Sequence, residues 1–534
     1  MEGLIVVVSV GAAVVAGNAL APILRLPVPL TQVLLGFLVA FIPGLEHLGM
    51  PHEVVLMLFL PALLFWESLT TSKNAIRRDL RGILITSTVF VVATAFAVAW
   101  IASSLGIPWA AALILGAAVA PPDATAAAAL AKGLPQRQFM LLKAESLTND
   151  GTALVVYAIA VGIALGGHYT PWDITRMALV SFLGGILVGI LMAAVAYPVL
   201  SRLRDPIVLN MALIVTPYAA YLTAEQIHAS GVLAVVVAGL IISAFSNRLS
   251  TPESRTQAEH AWPLATSLLN GALFLLIGVE TQSLVFRFQP AELLALAGIA
   301  VAVAVTLVVS RFLFLQLTVM IIRSLDRRPE QRQRRMSYRA RLVSGVSAFR
   351  GAVSLAIALS IPLTMNDGSP FPYRDEVVLI AALAIIIGIA VQGPLLPKVI
   401  AWAARGGHAG DQEEKELSEE QRITEARLAI LAVVRPELPD LAEQAGVSPW
   451  VAEEMADRID TIAAHMNAGD DDDEAEGLSE VAALERLHLA VIARKREILG
   501  QLVRERQIDD ETARIIRARM DLEEIHRNGY LPYE

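Results

Sequence analysis

Apolar residues run along this chain in stretches of about 20, the length an α-helix needs to cross the hydrocarbon core of a bilayer, and polar residues gather between them. Thirteen such stretches follow one another, approximately at 3–24, 28–43, 52–70, 82–104, 108–131, 139–166, 173–200, 206–225, 229–246, 261–284, 290–322, 341–364 and 376–403. The second is short, and the fifth, sixth and twelfth are interrupted by polar residues or by Pro and Gly. The pattern predicts an all-α membrane protein. The first run has no basic leader and reads as a retained span, not a signal peptide. Beyond residue 403 the pattern changes. Amphipathic stretches such as Glu420–Val434 and Val481–Val503 flank an acidic run, Asp470 to Glu476, which reads as solvated linker because calcium-loop spacing is lacking. The expected organisation is a transmembrane domain over 1–403 and an acidic helical tail over 404–534.

Composition agrees with two solvents. Of the residues, 55% are hydrophobic and 17% charged, too apolar for a soluble chain of 534 residues. Residues 404–534 carry 16 Lys and Arg against 31 Asp and Glu, a net of −15, which leaves 26 against 20, a net of +6, for 1–403. With no cysteine, disulfides and thiolate metal sites are excluded. No nucleic-acid partner and no resident cofactor are expected.

Basic residues are retained on the cytoplasmic side of span ends. One set of alternate loops holds Arg25; Lys73, Arg77, Arg78 and Arg81; Lys132 and Arg137; Arg202 and Arg204; Arg248 and Arg255; and eight arginines from Arg323 to Arg341. The other holds Arg287 and Arg374, with Arg176 just inside a span. The asymmetry predicts an external N-terminus, a cytoplasmic tail and an odd number of spans. Spans 1–6 and 8–13 then run in opposite senses, as inverted repeats joined by span 7. The fifth member of each half is interrupted, by Pro121-Pro122-Asp123 and by Ser347-Ala348-Phe349-Arg350-Gly351. Paired interruptions of this kind mark midplane binding sites in secondary transporters.

Ionisable residues deep in a span are functional candidates by default. They are Glu67, Asp123, Glu145, Asp150, Glu225, Glu280, Arg311 and Arg350. Glu225 and Glu280 fall near span ends and read as interfacial. In span 6, Glu145 and Asn149 share one helical face, and Ser146 and Asp150 share another about 100° away. A buried Glu145 needs an arginine; Arg311 is the favoured partner, which leaves Arg350 to offset carbonyl ends in span 12, with the two roles exchanged as the alternative. Asp150 then lacks a dedicated counter-ion, and a dehydrated carboxylate keeps its proton unless a cation replaces it. Na+ takes oxygen ligands, here Asp150, the Ser146 hydroxyl, Asp123, the Pro122 or Ala120 carbonyl, and Glu67. Bland readings stand beside these: a snorkelling Glu67, an Asp123 that only caps a half-helix from Ala124, and an Asp150 used in a helix–helix hydrogen bond. Exchange of a cation for a proton competes with two other functions, a cation channel and an intramembrane aspartyl hydrolase. The hydrolase lacks its Gly-x-Gly-Asp signature.

Ala120-Pro121-Pro122-Asp123-Ala124-Thr125, Glu145-Ser146-Leu147-Thr148-Asn149-Asp150-Gly151-Thr152 and Phe349-Arg350-Gly351-Ala352-Val353 resemble, in order and spacing, the signatures of NhaP-like sodium/proton antiporters, bacterial relatives of the NHE exchangers. The stretches Thr216–Glu225 and Ser230–Ala234 share the resemblance, which covers 1–403. It implies homodimers of 13-span protomers in a bacterial inner membrane, with crossed broken helices and elevator-like alternating access. It makes Asp150 the exchanged-ion carboxylate, with Glu145, Asn149, Thr148, Arg311 and Arg350 supporting the site. Asn149, in place of a second aspartate, implies electroneutral exchange of Na+ for H+. Trp66 stands where the family often has an acidic residue, with Glu67 one later, and Pro122 replaces a hydroxyl residue.

Overall fold

The computed structural model describes residues 2–42, 52–71, 76, 82–123, 126–127, 134, 136–249, 252–325, 337–405, 419–467, 495 and 498–499. The chain divides into two compact units, Met1–His408 and Ala409–Glu534. The regular elements among the described residues are all helices, with one isolated bridge, Thr364 to Pro370.

In the first unit the helices are α1 Glu2–Leu24, α2 Val28–Val39, α3 His52–Thr70, α4 Gly82–Ser104, α5 Trp109–Val119, α6 Gln136–Ala164 and α7 Pro171–Leu200. They continue as α8 Pro206–Gln226, α9 Gly231–Ala244, α10 Pro252–Val285, α11 Pro290–Leu325, α12 Tyr338–Val346, α13 Ala352–Leu359 and α14 Arg374–Ala403.

 Helix α13 ends at Leu359 and is short, as are α12, α5 and α9. Eight described helices are long and apolar enough to cross a membrane.

Local sequence sets the starts. Pro171 and Pro206 occupy first helical turns, where a missing N–H costs nothing. Thr170 and Asp173 form a reciprocal capping box on α7, and Asp205 accepts from Ile207 and Val208 N–H at 2.9 and 3.0 Å on α8. Ser230 and Ser337 cap α9 and α12 in the same way. Helix α10 begins nine residues before the expected apolar run, because backbone hydrogen bonding continues through a polar turn whose Ser254 carbonyl accepts from Asn210 on α8. Helix α2 ends at Val39, short of the expected boundary.

Small residues bring helix backbones together, the usual packing device in lipid. A Cβ on Gly36 of α2 would overlap the Leu275 carbonyl of α10, and one on Gly278 of α10 would overlap the Val33 carbonyl of α2. Gly116 brings α5 equally close to the Ala95 carbonyl of α4. Burial is graded. Residues 111–119 of α5 are all buried, whereas α7 presents exposed Leu183, Leu187 and Leu191 along one side. Helix α5 packs against α4, α6, α13 and α14, so its C-terminal end lies in the interior of the unit. The second unit contains α15 Glu419–Gln444 packed on α16 Pro449–Asn467, with Arg435 and Asp460 ion-paired between them. The acidic run, most of the Val481–Val503 stretch and ten of the basic loop residues used for orientation lie outside the described residues.

Candidate ion-binding site

Helix α5 stops at Val119, and residues 120–123 are not helical; α12 stops at Val346, and residues 347–351 are not helical before α13. The two interruptions meet through main-chain atoms: Asp123 N–H donates to the Phe349 carbonyl at 2.8 Å. Gly351 lies so close to the Asp123 carboxylate that a Cβ would overlap it. Breaking a helix leaves carbonyls without donors. Arg350 supplies them, donating to Val119 O at 2.9 Å, Ala120 O at 3.1 Å and Ala348 O at 2.6 Å. The Asp123 side chain accepts a long 3.4 Å bond from Ala126 N–H.

Helix α6 faces this junction. Of the two mid-span arginines, Arg311 on α11 is the partner of Glu145, gripping it with both terminal nitrogens, one at 2.7 Å from Oε2. The guanidinium also lies over Phe90, 5.0 Å from the ring centre. Phe90 closes a π-helical turn in α4, Thr86–Phe90, a local widening that turns this ring inward. Asn149, on the Glu145 face, donates from Nδ2 to the Pro122 carbonyl at 2.8 Å, so α6 is fastened to the broken segment. Thr148 bonds back to its own helix, at the Ala144 and Glu145 carbonyls.

The other face of α6 carries Ser146 and Asp150, both buried. Asp150 accepts no hydrogen bond from a described residue. Its electrostatic neighbours are Asp123 and Glu67, and Glu67 on α3 is buried too. Three carboxylates are thus gathered where two broken segments and two helices meet. Among the described residues no three acidic or histidine side chains stand close enough to chelate a metal unaided. Trp66, beside Glu67, stacks on Trp262 of α10 with ring centres 5.5 Å apart and serves packing.

Sequence reasoning missed Lys143. Its ammonium donates to Thr70 Oγ1 at 2.8 Å and acts electrostatically on Glu67. The signal was present, since Lys143 falls inside the sixth apolar stretch, seven residues before Asp150 and on the same helical face. Glu225 is exposed and Glu280 half-buried, and neither joins the cluster.

The family model described as "Sodium/hydrogen exchanger, transmembrane" matches residues 9–402. The chain belongs to that family. These exchangers are multi-pass membrane transporters and not enzymes. Along nearly its whole length this exchanger is similar to a protein of Mycobacterium tuberculosis named "Uncharacterized Na(+)/H(+) exchanger Rv2287", 36% identical over 527 residues, 98% of this chain and 96% of the relative. A "Sodium, potassium, lithium and rubidium/H(+) antiporter" of Bacillus pumilus is 29% identical over 388 residues, 70% of this chain and 57% of the relative. Among solved structures, the sodium proton antiporter MjNhaP1 from Methanocaldococcus jannaschii shares the exchanger's fold with a TM-score of 0.59 at 15% identity, covering 75% of this chain and 99% of that one.

Proposed function

We propose that the exchanger moves a monovalent cation, Na+ by preference, against H+ by alternating access, with both ions competing for the Asp150 carboxylate. The observation that carries this is that Asp150 has no hydrogen bond or ion pair among the described residues, beside a Glu145 paired with Arg311. A buried carboxylate with acidic neighbours needs a positive charge, and a proton or a hard cation supplies one equally well. Because the acidic side chains do not form a chelate by themselves, Na+ at this site takes mixed oxygens: Asp150, the Ser146 hydroxyl, Asp123, and the main-chain carbonyl of Pro122, whose second lone pair is left by Asn149. Glu67 contributes charge from α3. Weak, mixed coordination suits a cargo that must leave again.

The names of the relatives, sodium/proton antiporters and one that also takes potassium, lithium and rubidium, support cation/proton exchange and leave selectivity to measurement. One exchangeable carboxylate, with Asn149 as its neighbour, supports one cation per proton. We further propose 13 spans, an external N-terminus, a cytoplasmic tail that modulates transport, a homodimer, and an elevator-like movement in a bacterial inner membrane. A chain without cysteines is well suited to single-cysteine accessibility mapping of this topology.

The test is exchange in proteoliposomes with a trapped pH dye, adding Na+, Li+ or K+ in turn. Wild-type protein dissipates a preset pH gradient on adding Na+, and Asp150→Asn, inserted to the same level, does not. Ordinary exchange by Asp150→Asn removes this carboxylate from the mechanism. A rate that changes steeply with clamped membrane potential overturns the one-for-one stoichiometry.

A further inference from the structure

Lys143 has no part in the chemistry described so far. It lies two turns before Asp150 on α6, and Thr70 lies about one turn beyond Glu67 on α3. The 2.8 Å bond from Lys143 Nζ to Thr70 Oγ1 therefore sets two rows side by side, Glu67 with Thr70 and Asp150 with Lys143. The ammonium bonds the hydroxyl and acts on Glu67 through space. The described residues of α4, α5 and α9, which pack on α6, include no charged residue. Helix α7 carries Asp173 and Arg176, next to the connection from the opposite end of α6. Glu145, two residues on, is committed to Arg311. Among the described residues the acid that acts on Lys143 is Glu67, whose own acidic neighbours are Asp123 and Asp150.

We propose that Lys143 is a positioning residue that sets cation affinity, an internal counter-charge to Glu67, and this rests on the exchange function proposed above. With Lys143 in place the three carboxylates attract an incoming ion less strongly than their number implies. A transported cation is consequently held by Asp150 without being trapped by its acidic neighbours. Lysine suits this task because its charge sits on a flexible four-carbon stem and reaches the cluster without entering it.

The experiment measures KM and kcat for Na+ in proteoliposomes of the full-length protein. Lys143→Met is expected to lower KM about fivefold, the scale of one charge removed at partly screened range. Glu67→Gln is expected to raise KM, and the double variant to return it to within about twofold of wild type, since opposite charges cancel. Lys143→Arg keeps the charge and keeps the wild-type KM. Thr70→Val removes the hydrogen bond without removing charge and leaves KM in place. Lys143→Gln repeats the measurement if the methionine variant fails to insert. An unchanged or raised KM in Lys143→Met or Lys143→Gln, or the same shift in Thr70→Val, overturns the counter-charge role. Exchange retained in Asp150→Asn overturns instead the exchange reading beneath it, so the two failures are distinguishable.

Discussion

Glu145 and Asp150 lie five residues apart on α6, 3% and 5% exposed, yet among the described residues one is ion-paired and the other is not. Glu145 is held by both terminal nitrogens of Arg311, itself seated on Phe90. Asp150 has two further carboxylates as its electrostatic neighbours. A buried charge with a fixed partner locks helices together, whereas one without a partner stays available to a mobile cation. The same helix thus sets a paired carboxylate and, among the described residues, an unpaired one on different faces by its turn of about 100° per residue.

The largest effect expected from breaking this contrast is loss of exchange in Asp150→Asn, with thermal stability in detergent unchanged or raised, because a buried acid has been neutralised. Glu145→Gln should do the reverse kind of damage. It leaves Arg311 buried without its partner and should cost about 3–5 kcal/mol of stability, read as a lower midpoint of thermal aggregation. A Glu145→Gln protein as stable as wild type would erase the distinction. Asn149→Ala, which orphans the Pro122 carbonyl, should cost about 1–3 kcal/mol and slow exchange while Na+ dependence persists. A subtler test is pH. On the proposed competition of H+ and Na+ for Asp150, acidification should raise the KM for Na+ and leave kcat at saturating Na+ unchanged; a KM indifferent to pH contradicts that competition.

The smallest effect is expected in the second unit. There the hydrogen bond from Arg435 holds the Asp460 carboxyl below the usual carboxylate range. A depressed value means that its contribution to the α15–α16 pair is present above the ordinary carboxylate pKa and is lost as pH falls through the depressed one. Limited proteolysis of this segment should therefore quicken in acid, and Arg435→Leu should remove most of that pH dependence.

Much of the helical layout was legible because period and length report directly on solvent. Hydropathy does not report where backbone hydrogen bonding ends, which is why α10 runs back to Pro252 and α2 stops at Val39. The end of α5 before Pro121-Pro122 and the non-helical segment at 347–351 were legible from proline chemistry and from polar residues inside apolar runs. Pairing was harder. Spacing within α6 separates Glu145 from Asp150, and the sequence favours Arg311 over Arg350 as the partner of Glu145, but the choice is decided by how α11 and the segment at 347–351 pack. Lys143 escaped for a related reason: beside Glu145, at the start of a span, it reads as a boundary residue, and only the neighbouring α3 reveals which acid it faces.

The bond from Asp123 N–H to the Phe349 carbonyl is made by the polypeptide itself. Exchanging side chains at either position leaves it standing, short of proline at 123. Selection can therefore retune the acids and hydroxyls around this junction while the two non-helical segments remain stitched together.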